Sequence, residues 1–461
     1  MIPPEASAGD ILEATGGILR QGSAANGVSS GVSTDSRRII PGCCFVALKG
    51  ERFDGNAYAA RAAAEGASVV VVSRMEGVFP SDCAVIEVPD TLTALQGIAD
   101  WWRNRLDPIR VIGVTGSSGK TSTKDMLRSV LQRRGRASAT QGNLNNHIGV
   151  PLSILSTPRG TQTAIWEIGM NHPGELSPLC RLIRPCVGVI TSIGSAHIEF
   201  FRSRRAIAEE KCTIARMLPA HGCVIYPADC EFADLIASST VAECVPVGMS
   251  EGRVRAEHLR MSLGGCSYDL AIEGHKPCPV FLPVPGVHMA ADSLLAAAAA
   301  WKLGLSPEEI AESLRYVELT SGRLRVLESG GMTVIDDSYN ANPESMRASL
   351  STLASLPVAG RRIAVLGQMG ELGEAAREAH FSIGAQAAFL KIDLLCVVGE
   401  GPESAAMLRG ARGIDTAYAS DPEAAAELLR TRLHAGDALL FKASHAVGIS
   451  RCMHLLFPSL S

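Results

Sequence analysis

Thr115-Gly116-Ser117-Ser118-Gly119-Lys120-Thr121 is the stretch whose reading decides the fold. Before it runs Val111-Ile112-Gly113-Val114, an apolar segment with the length of a buried strand. After it, over residues 122–134, Met126, Leu127, Val130 and Leu131 recur at helical spacing. Strand, glycine loop and helix in that order form the setting of a phosphate-binding loop. The glycines let backbone N–H groups turn toward phosphate oxygens, and the helix N-terminus adds positive potential. In that setting Lys120 reaches the β and γ phosphates, and the Thr121 hydroxyl takes Mg2+. The stretch predicts ATP or GTP binding. Its spacing is a less common variant, because Val114 stands where the usual loop has its first glycine.

At 461 residues the chain is too long for one core and suggests roughly three domains. It is 46% hydrophobic and 20% charged, ordinary for a soluble globular protein; its many alanines and glycines and few aromatics suit close helix–sheet layers. A net charge of −4 without a long basic run argues against a nucleic-acid partner. The 13 cysteines include no Cys-x-x-Cys pair, and several, such as Cys44 and Cys396, sit in apolar runs. Buried reduced thiols in a cytoplasmic enzyme explain them better than disulfides or zinc. Residues 1–10 lack a basic and an apolar region, so no signal peptide is expected. The most apolar helix, 293–305, contains Lys302 and is too short to span a bilayer.

Three blocks follow from the patterning. The first, 1–107, has strand-like runs at 44–48, 68–72 and 85–88 and helical patterns at 57–65 and 91–106, with Pro108 marking its end. The second, 108–318, opens with the nucleotide loop. It continues through strand candidates 163–168, 187–193 and 223–226, a polar-alternating stretch at 252–284 that suggests an antiparallel appendage, and helices at 293–305 and 307–316. The third, 319–461, alternates strand candidates 333–337, 363–367, 394–399 and 439–442 with helices. The predicted class is α/β: a central P-loop-type parallel sheet and a C-terminal domain close to a dinucleotide fold. No strand of that last block leads into Gly-x-Gly-x-x-Gly, so NAD is not expected.

Other residues point to chemistry. Glu167 lies inside an apolar strand, where a carboxylate is costly unless paired or bound to a metal. His197 follows a strand end, the place where doubly wound sheets hold ligands. Lys211 lies in a helical stretch, and periodicity alone reads it as a solvated lysine. Asp336-Asp337-Ser338-Tyr339-Asn340-Ala341-Asn342-Pro343 crowds polar residues into one strand-to-helix turn, with Pro343 set to start the helix.

Together these residues resemble the Mur ligases, the amino-acid-adding enzymes of peptidoglycan synthesis. Thr115 to Thr121 is similar to that family's Thr-Gly-x-x-Gly-Lys-Thr loop, which accounts for Val114. Gly142-Asn-Leu-Asn-Asn-His-Ile-Gly-Val-Pro151 resembles its substrate-side loop, and Glu167, His197 and the Asp337 turn follow in the family's order. Cys43-Cys-Phe-Val-Ala-Leu-Lys-Gly-Glu-Arg-Phe-Asp-Gly55 resembles the N-terminal domain shared by the members that add the third residue and the terminal dipeptide, and the turn Asp336 to Pro343 resembles the dipeptide-adding branch. The resemblance implies an ATP-dependent amide ligase that works through an acyl phosphate. Its implied small-molecule substrates are a UDP-muramoyl tripeptide and D-Ala-D-Ala, its expected state a monomer and its compartment the cytoplasm.

The resemblance also implies roles for residues. Lys120 meets the γ-phosphate, with Thr115, Gly116, Ser117, Ser118, Gly119 and Thr121 around the nucleotide. Thr121 and Glu167 hold one Mg2+, and His197 helps hold a second. Lys211 matches a carbamylated lysine that serves the metals, which reverses the solvated reading. His288, Arg323, Asp337 and Asn340 approach ATP. Ser33, Thr34, Asp35, Ser36, Arg37, Lys49, Arg52, Asp54, Asn143, Asn145, Asn146 and Asn342 fall on the substrate side. The chain departs from the family's usual pattern at Met289 and Asp292, where Asn is common, at Gln368 in place of an acid, and at His445 in place of Arg. Competing readings are another Mur ligase or a folylpolyglutamate synthase-like ligase and, in another class, a P-loop kinase or nucleotide switch.

Overall fold

Val69–Val72 are four β-branched residues with no exposed side chain, the pattern of a strand covered on both faces. In the computed structural model, which describes residues 6–50 and 53–460, this strand is the middle of a five-stranded sheet. The order is Ile18–Gln21, Ala84–Glu87, Val69–Val72, Cys44–Val46, Val32–Ser33. The first pairing is antiparallel and the other three are parallel. Helix Asn56–Ala64 connects two of the parallel strands, and its Ala59, Ala62 and Ala63 pack on Phe45, Val70 and Val72. The runs expected at 44–48, 68–72 and 85–88 are therefore strands. The two outer strands and the helix Ala8–Thr15 are too short to carry a clear period and are absent from the sequence reading. Arg52, assigned to the substrate side, lies outside the described residues.

The chain divides into two compact units. One holds the residues up to Gly113 together with Gly135–Met170 and Glu175–Cys186. Besides the five-stranded sheet it contains Thr163–Glu167 paired in parallel with Ala137–Ala139, and helices Thr91–Arg105, Gly149–Leu155 and Leu176–Ile183. Trp102 is buried in the first of these helices, and its indole N–H donates to the Thr157 carbonyl at 3.0 Å, which satisfies the polar edge of a large apolar side chain.

The other unit holds Val114–Arg134, Asn171–Gly174 and the chain from Val187 onward. Its strands run in the order Val187–Ile190, Cys223–Pro227, Glu243–Gly248, Val254–Ser262, Gly265–Ile272, Cys278–Leu282. The first four pair in parallel and the last three antiparallel, so the polar alternation at 252–284 is the expected antiparallel appendage. The alanine-rich helix spans Val287–Lys302 and packs along Lys120–Gln132, where side chains this small permit close approach. It begins before the expected residue 293 because His288 and Asp292 interrupt the apolar pattern within its first turns.

A second sheet of this unit runs Arg325–Ser329, Met332–Asp336, Ala438–Lys442, Arg362–Gly367, Leu394–Val398, Asp415–Ala419. Only its first pairing is antiparallel. Its core joins Val334, Val365, Cys396, Leu439 and Phe441 to Ile449 and Met453. The turn after Met332–Asp336 ends where Asn342 caps helix Pro343–Ser355: its side chain accepts from the Ser345 N–H, and Pro343 occupies the first turn. All 13 cysteines are unpaired, as expected. Among the described residues no helix is long and apolar enough to cross a membrane.

Candidate functional site

The phosphate loop sits between the strand Arg110–Thr115 and the helix Lys120–Gln132, as its sequence predicts. Gly116 has φ +155°, and a side chain there would press on the Thr191 hydroxyl, 1.9 Å from the built Cβ position. Gly119 is in the left-handed region at φ +82° and faces the Asp292 carboxyl. A neighbouring segment braces the loop. The Ser117 N–H donates to the Ser192 carbonyl at 2.9 Å, and the Ser118 N–H to the Ser192 hydroxyl at 2.8 Å. The Thr191 hydroxyl donates to the Ser118 carbonyl, and the Gly194 N–H to the Ser117 hydroxyl at 2.9 Å. Two loop N–H groups are thus spent on the protein, which differs from a cradle turned wholly toward phosphate. Lys120 is the first residue of the helix, half-buried, and its Nζ donates to the Gly116 carbonyl at 2.8 Å.

Residues of the C-terminal sheet approach this loop within the same unit. The Asn342 side chain donates to the Ser118 hydroxyl at 2.9 Å and to the Ser117 carbonyl at 3.3 Å, and Arg323 donates to the Thr121 hydroxyl at 3.4 Å. The Thr320 N–H and hydroxyl both donate to Asp125 at 2.8 Å. Glu344 accepts from the Ser195 N–H at 2.9 Å and hydroxyl at 2.8 Å. The His197 Nδ1 stands 2.5 Å from Glu371 Oε2, and this close contact with His197 holds the Glu371 carboxyl below its ordinary pKa. Asn342, assigned to the substrate side, therefore lies on the phosphate loop.

Asp337 is buried, and both of its oxygens are engaged. One accepts from the Leu324 N–H at 3.2 Å, the other from Lys442 Nζ and the Ser349 hydroxyl, each at 2.6 Å. Lys442 also donates to the Asn340 carbonyl at 3.0 Å. His288 sits near both charges; burial pushes its pKa down to about 4, with Asp337 opposing the shift and Lys442 reinforcing it. Burial likewise pushes the Asp292 carboxyl well above the carboxylate range, against the pull of Arg323. Lys211 ends the helix Arg204–Lys211 and is only 2% exposed, so the solvated reading fails. Burial drives its pKa far below that of a free lysine, Lys120 adds to the shift and Glu210 opposes it.

Three of the departures, Met289, Gln368 and His445, have distinct surroundings. Met289 is buried in the alanine-rich helix. Gln368 donates to the Glu400 carbonyl at 2.5 Å, and the His445 ring stands 5.7 Å from that of Tyr339. The loop that follows Gln368 is anchored by His380, whose Nε2 accepts from the Met369 N–H at 2.9 Å while Nδ1 donates to the Ala376 carbonyl at 2.6 Å. Burial lowers the His380 pKa, so the unfolded chain takes up this proton first. Stability is therefore expected to fall as pH drops from about 6.5 toward the lower folded value, by up to about 1.4 kcal/mol per unit. Thermal melts across that range should show a shallower acid-side decline in His380→Gln than in the parent. Equal slopes would refute the assignment.

The first unit holds the remaining candidates. Ser33 ends a strand, and its hydroxyl accepts from the Asp35 N–H at 3.2 Å, beside the half-exposed Thr34 and Ser36. Arg37 donates to both Asp35 oxygens at 2.9 Å and holds that carboxyl down to about 2. Lys49 and Asp54 face each other across an isolated bridge, and Asp54 accepts from the Asn56 side chain at 2.7 Å and from Arg74 at 2.9 Å. Glu167 is 1% exposed, and Asn145 donates to it at 2.7 Å. Asn146 accepts from the Ile148 and Gly149 N–H groups at the start of a helix, while Asn143 is exposed. Among the described residues no three His, Cys, Asp or Glu side chains are grouped to hold a metal alone. The Glu167 carboxylate, 1% exposed, is an oxygen donor of the kind Mg2+ takes, and the Thr121 hydroxyl is another.

Sequence reasoning missed Thr191, Ser192, Glu344, Glu371 and Lys442. Ser192 stands five residues before His197, and Glu371 in a turn rich in glycine, but nothing local marks which partners they meet.

Known proteins resemble this chain along its length. The model of the Mur ligase family, catalytic domain, matches residues 29–101, that of the Mur ligase middle domain 114–300, and that of the Mur ligase, glutamate ligase domain 322–445. The chain is 37% identical over 424 residues to a UDP-N-acetylmuramoyl-tripeptide–D-alanyl-D-alanine ligase of Synechocystis, covering 91% of this chain and 90% of that one. The crystal structure of MurF from Acinetobacter baumannii superposes with a TM-score of 0.91 at 31% identity over 99% of both chains. The MurF ligase of Thermotoga maritima in complex with ADP gives 0.81 at 29% identity, over 92% of this chain and 96% of that one.

Proposed function

Because this chain belongs to the Mur ligase family, we infer that it is an ATP-dependent amide ligase joining D-alanyl-D-alanine to UDP-N-acetylmuramoyl-tripeptide in peptidoglycan precursor synthesis. The observation that carries this reading is the full-length likeness at 0.91 to a structure of the dipeptide-adding ligase, with the Thr115–Thr121 loop intact. The tripeptide carboxylate attacks the γ-phosphorus of ATP, and ADP leaves. The dipeptide amine then attacks the acyl carbon, loses a proton, and phosphate leaves. Phosphoryl transfer of this kind asks mainly for positioning and charge stabilisation.

We assign Lys120 to the γ-phosphate and the loop N–H groups other than those of Ser117 and Ser118 to the neighbouring phosphates. Thr121 and Glu167 are assigned to one Mg2+ and His197 to a second, which supply charge to the transferring group. Arg323, beside the Thr121 hydroxyl, is placed to add positive charge there. His288, Asp337 and Asn340 form a buried or turn framework for the nucleotide side. Ser33 to Arg37, Lys49, Arg52, Asp54, Asn143, Asn145 and Asn146 are assigned to the UDP-sugar and peptide. Lys211 is assigned as a carbamylated lysine. The domain limits under this reading are 1–107, 108–318 and 319–461, and the protein acts as a cytoplasmic monomer.

The test is direct. Purified protein with ATP, Mg2+, D-Ala-D-Ala and UDP-muramoyl tripeptides carrying either lysine or diaminopimelate should give a product heavier by one D-Ala-D-Ala residue, with one ADP and one phosphate released per bond. ADP release that does not depend on both the tripeptide and the dipeptide would overturn the reading in favour of a kinase or switch.

A further inference from the structure

His197 and Glu371 share an unusual backbone state. Both are non-glycine residues in the left-handed region, at φ +64° and +60°. Such residues persist only where their surroundings over-determine them, and they concentrate at functional sites. Here the two side chains converge, with Nδ1 2.5 Å from Oε2. The Glu371 loop is held from several directions. The Met369 N–H donates to His380 at 2.9 Å, the Ser444 N–H donates to the Gln368 carbonyl at 2.8 Å, and a side chain at Gly373 would stand 3.2 Å from Glu199, two residues past His197. Nearby, Glu344 of the same C-terminal block grips Ser195.

We propose that Glu371 is a positioning residue for His197: its carboxylate accepts from the Nδ1–H, which keeps its proton, fixes the ring and its tautomer, and leaves Nε2 to coordinate a divalent cation. The inference rests on the assignment of His197 to a metal. A carboxylate behind a ligating imidazole raises its basicity and sets its orientation, and losing such a partner costs metal affinity. Because Glu371 belongs to the C-terminal block and His197 to the central one, the ligand is set only while the two blocks are docked. The departure at Gln368 fits this arrangement. Gln368 is turned away to the Glu400 carbonyl, so Glu371 is the acid of that loop directed at the central block.

The experiment measures Mn2+ affinity by electron paramagnetic resonance, using the full chain saturated with a non-hydrolysable ATP analogue. Glu371→Ala should weaken Mn2+ binding about 10- to 100-fold, and Glu371→Gln, which keeps an acceptor but loses the charge, should weaken it less. Thermal melts confirm that each variant is folded. His197→Ala should lose at least as much as Glu371→Ala, and the double variant no more than His197→Ala, because the acid acts through the ring. A loss in His197→Ala with none in Glu371→Ala overturns the positioning role while sparing the metal assignment. Additive losses in the double variant also overturn it. No loss in either single variant refutes the assignment of His197 to a metal, and the proposal falls with it.

Discussion

Lys120→Ala is expected to remove ligation and to leave the protein folded. Lys120 opens the helix Lys120–Gln132 and is half-buried, and its ammonium is tethered only 2.8 Å from the Gly116 carbonyl across the loop. In the role assigned to Lys120, a cation held there would meet the charge that develops on the transferring phosphoryl group. Removing one such preorganised contact costs about 3–4 kcal/mol of transition-state stabilisation, a fall on the order of 100- to 1,000-fold in turnover. Alanine favours the helix, so the melting temperature should move little. Phosphate release at saturating ATP reads the loss. Near-normal turnover at saturating ATP would remove Lys120 from its assigned role.

Lys211→Ala and Lys211→Met are expected to be nearly inactive, on the order of 100-fold down or more. An ammonium cannot ligate Mg2+, but a carbamate can. The side chain is 2% exposed, and burial first, then Lys120, drives its pKa far below that of a free lysine. A neutral amine is the form that adds CO2: its lone pair attacks the carbon, a proton goes to water, and a carbamate anion remains. The methionine variant keeps most of the packed volume, which separates loss of the acid from a cavity effect. In the parent enzyme, 13C-labelled bicarbonate should yield a protein carbamate resonance that both variants lack. A short carboxylate such as acetate should restore part of the alanine variant's activity. High activity of Lys211→Ala with no added acid would count decisively against carbamylation.

What the sequence alone determined is whatever repeats or punctuates locally. Four consecutive valines at 69–72 cannot be anything but a buried strand once flanked by turns, and Gly116 to Thr121 must lie between a strand and a helix. Asn342-Pro343 announces a helix start because a side-chain cap and a fixed φ act within one turn. Glu167 was legible as an unusual carboxylate because its neighbours in the strand are apolar. The tertiary structure decided everything that depends on residues far apart in the chain. Periodicity made Lys211 a surface residue, and only packing buried it. In sequence Asp337 is one of several polar residues in a strand-to-helix turn, and only the fold brings Lys442, over a hundred residues later, to pair with it. The bracing of the loop by Ser192, the reach of Asn342 to Ser118 and the meeting of Glu371 with His197 join side chains that no short-range spacing rule relates. Local propensity acts over a turn of helix or a pair of strands, whereas burial and charge pairing are set by the chain's path through space, and the chemistry of this site is built from the latter.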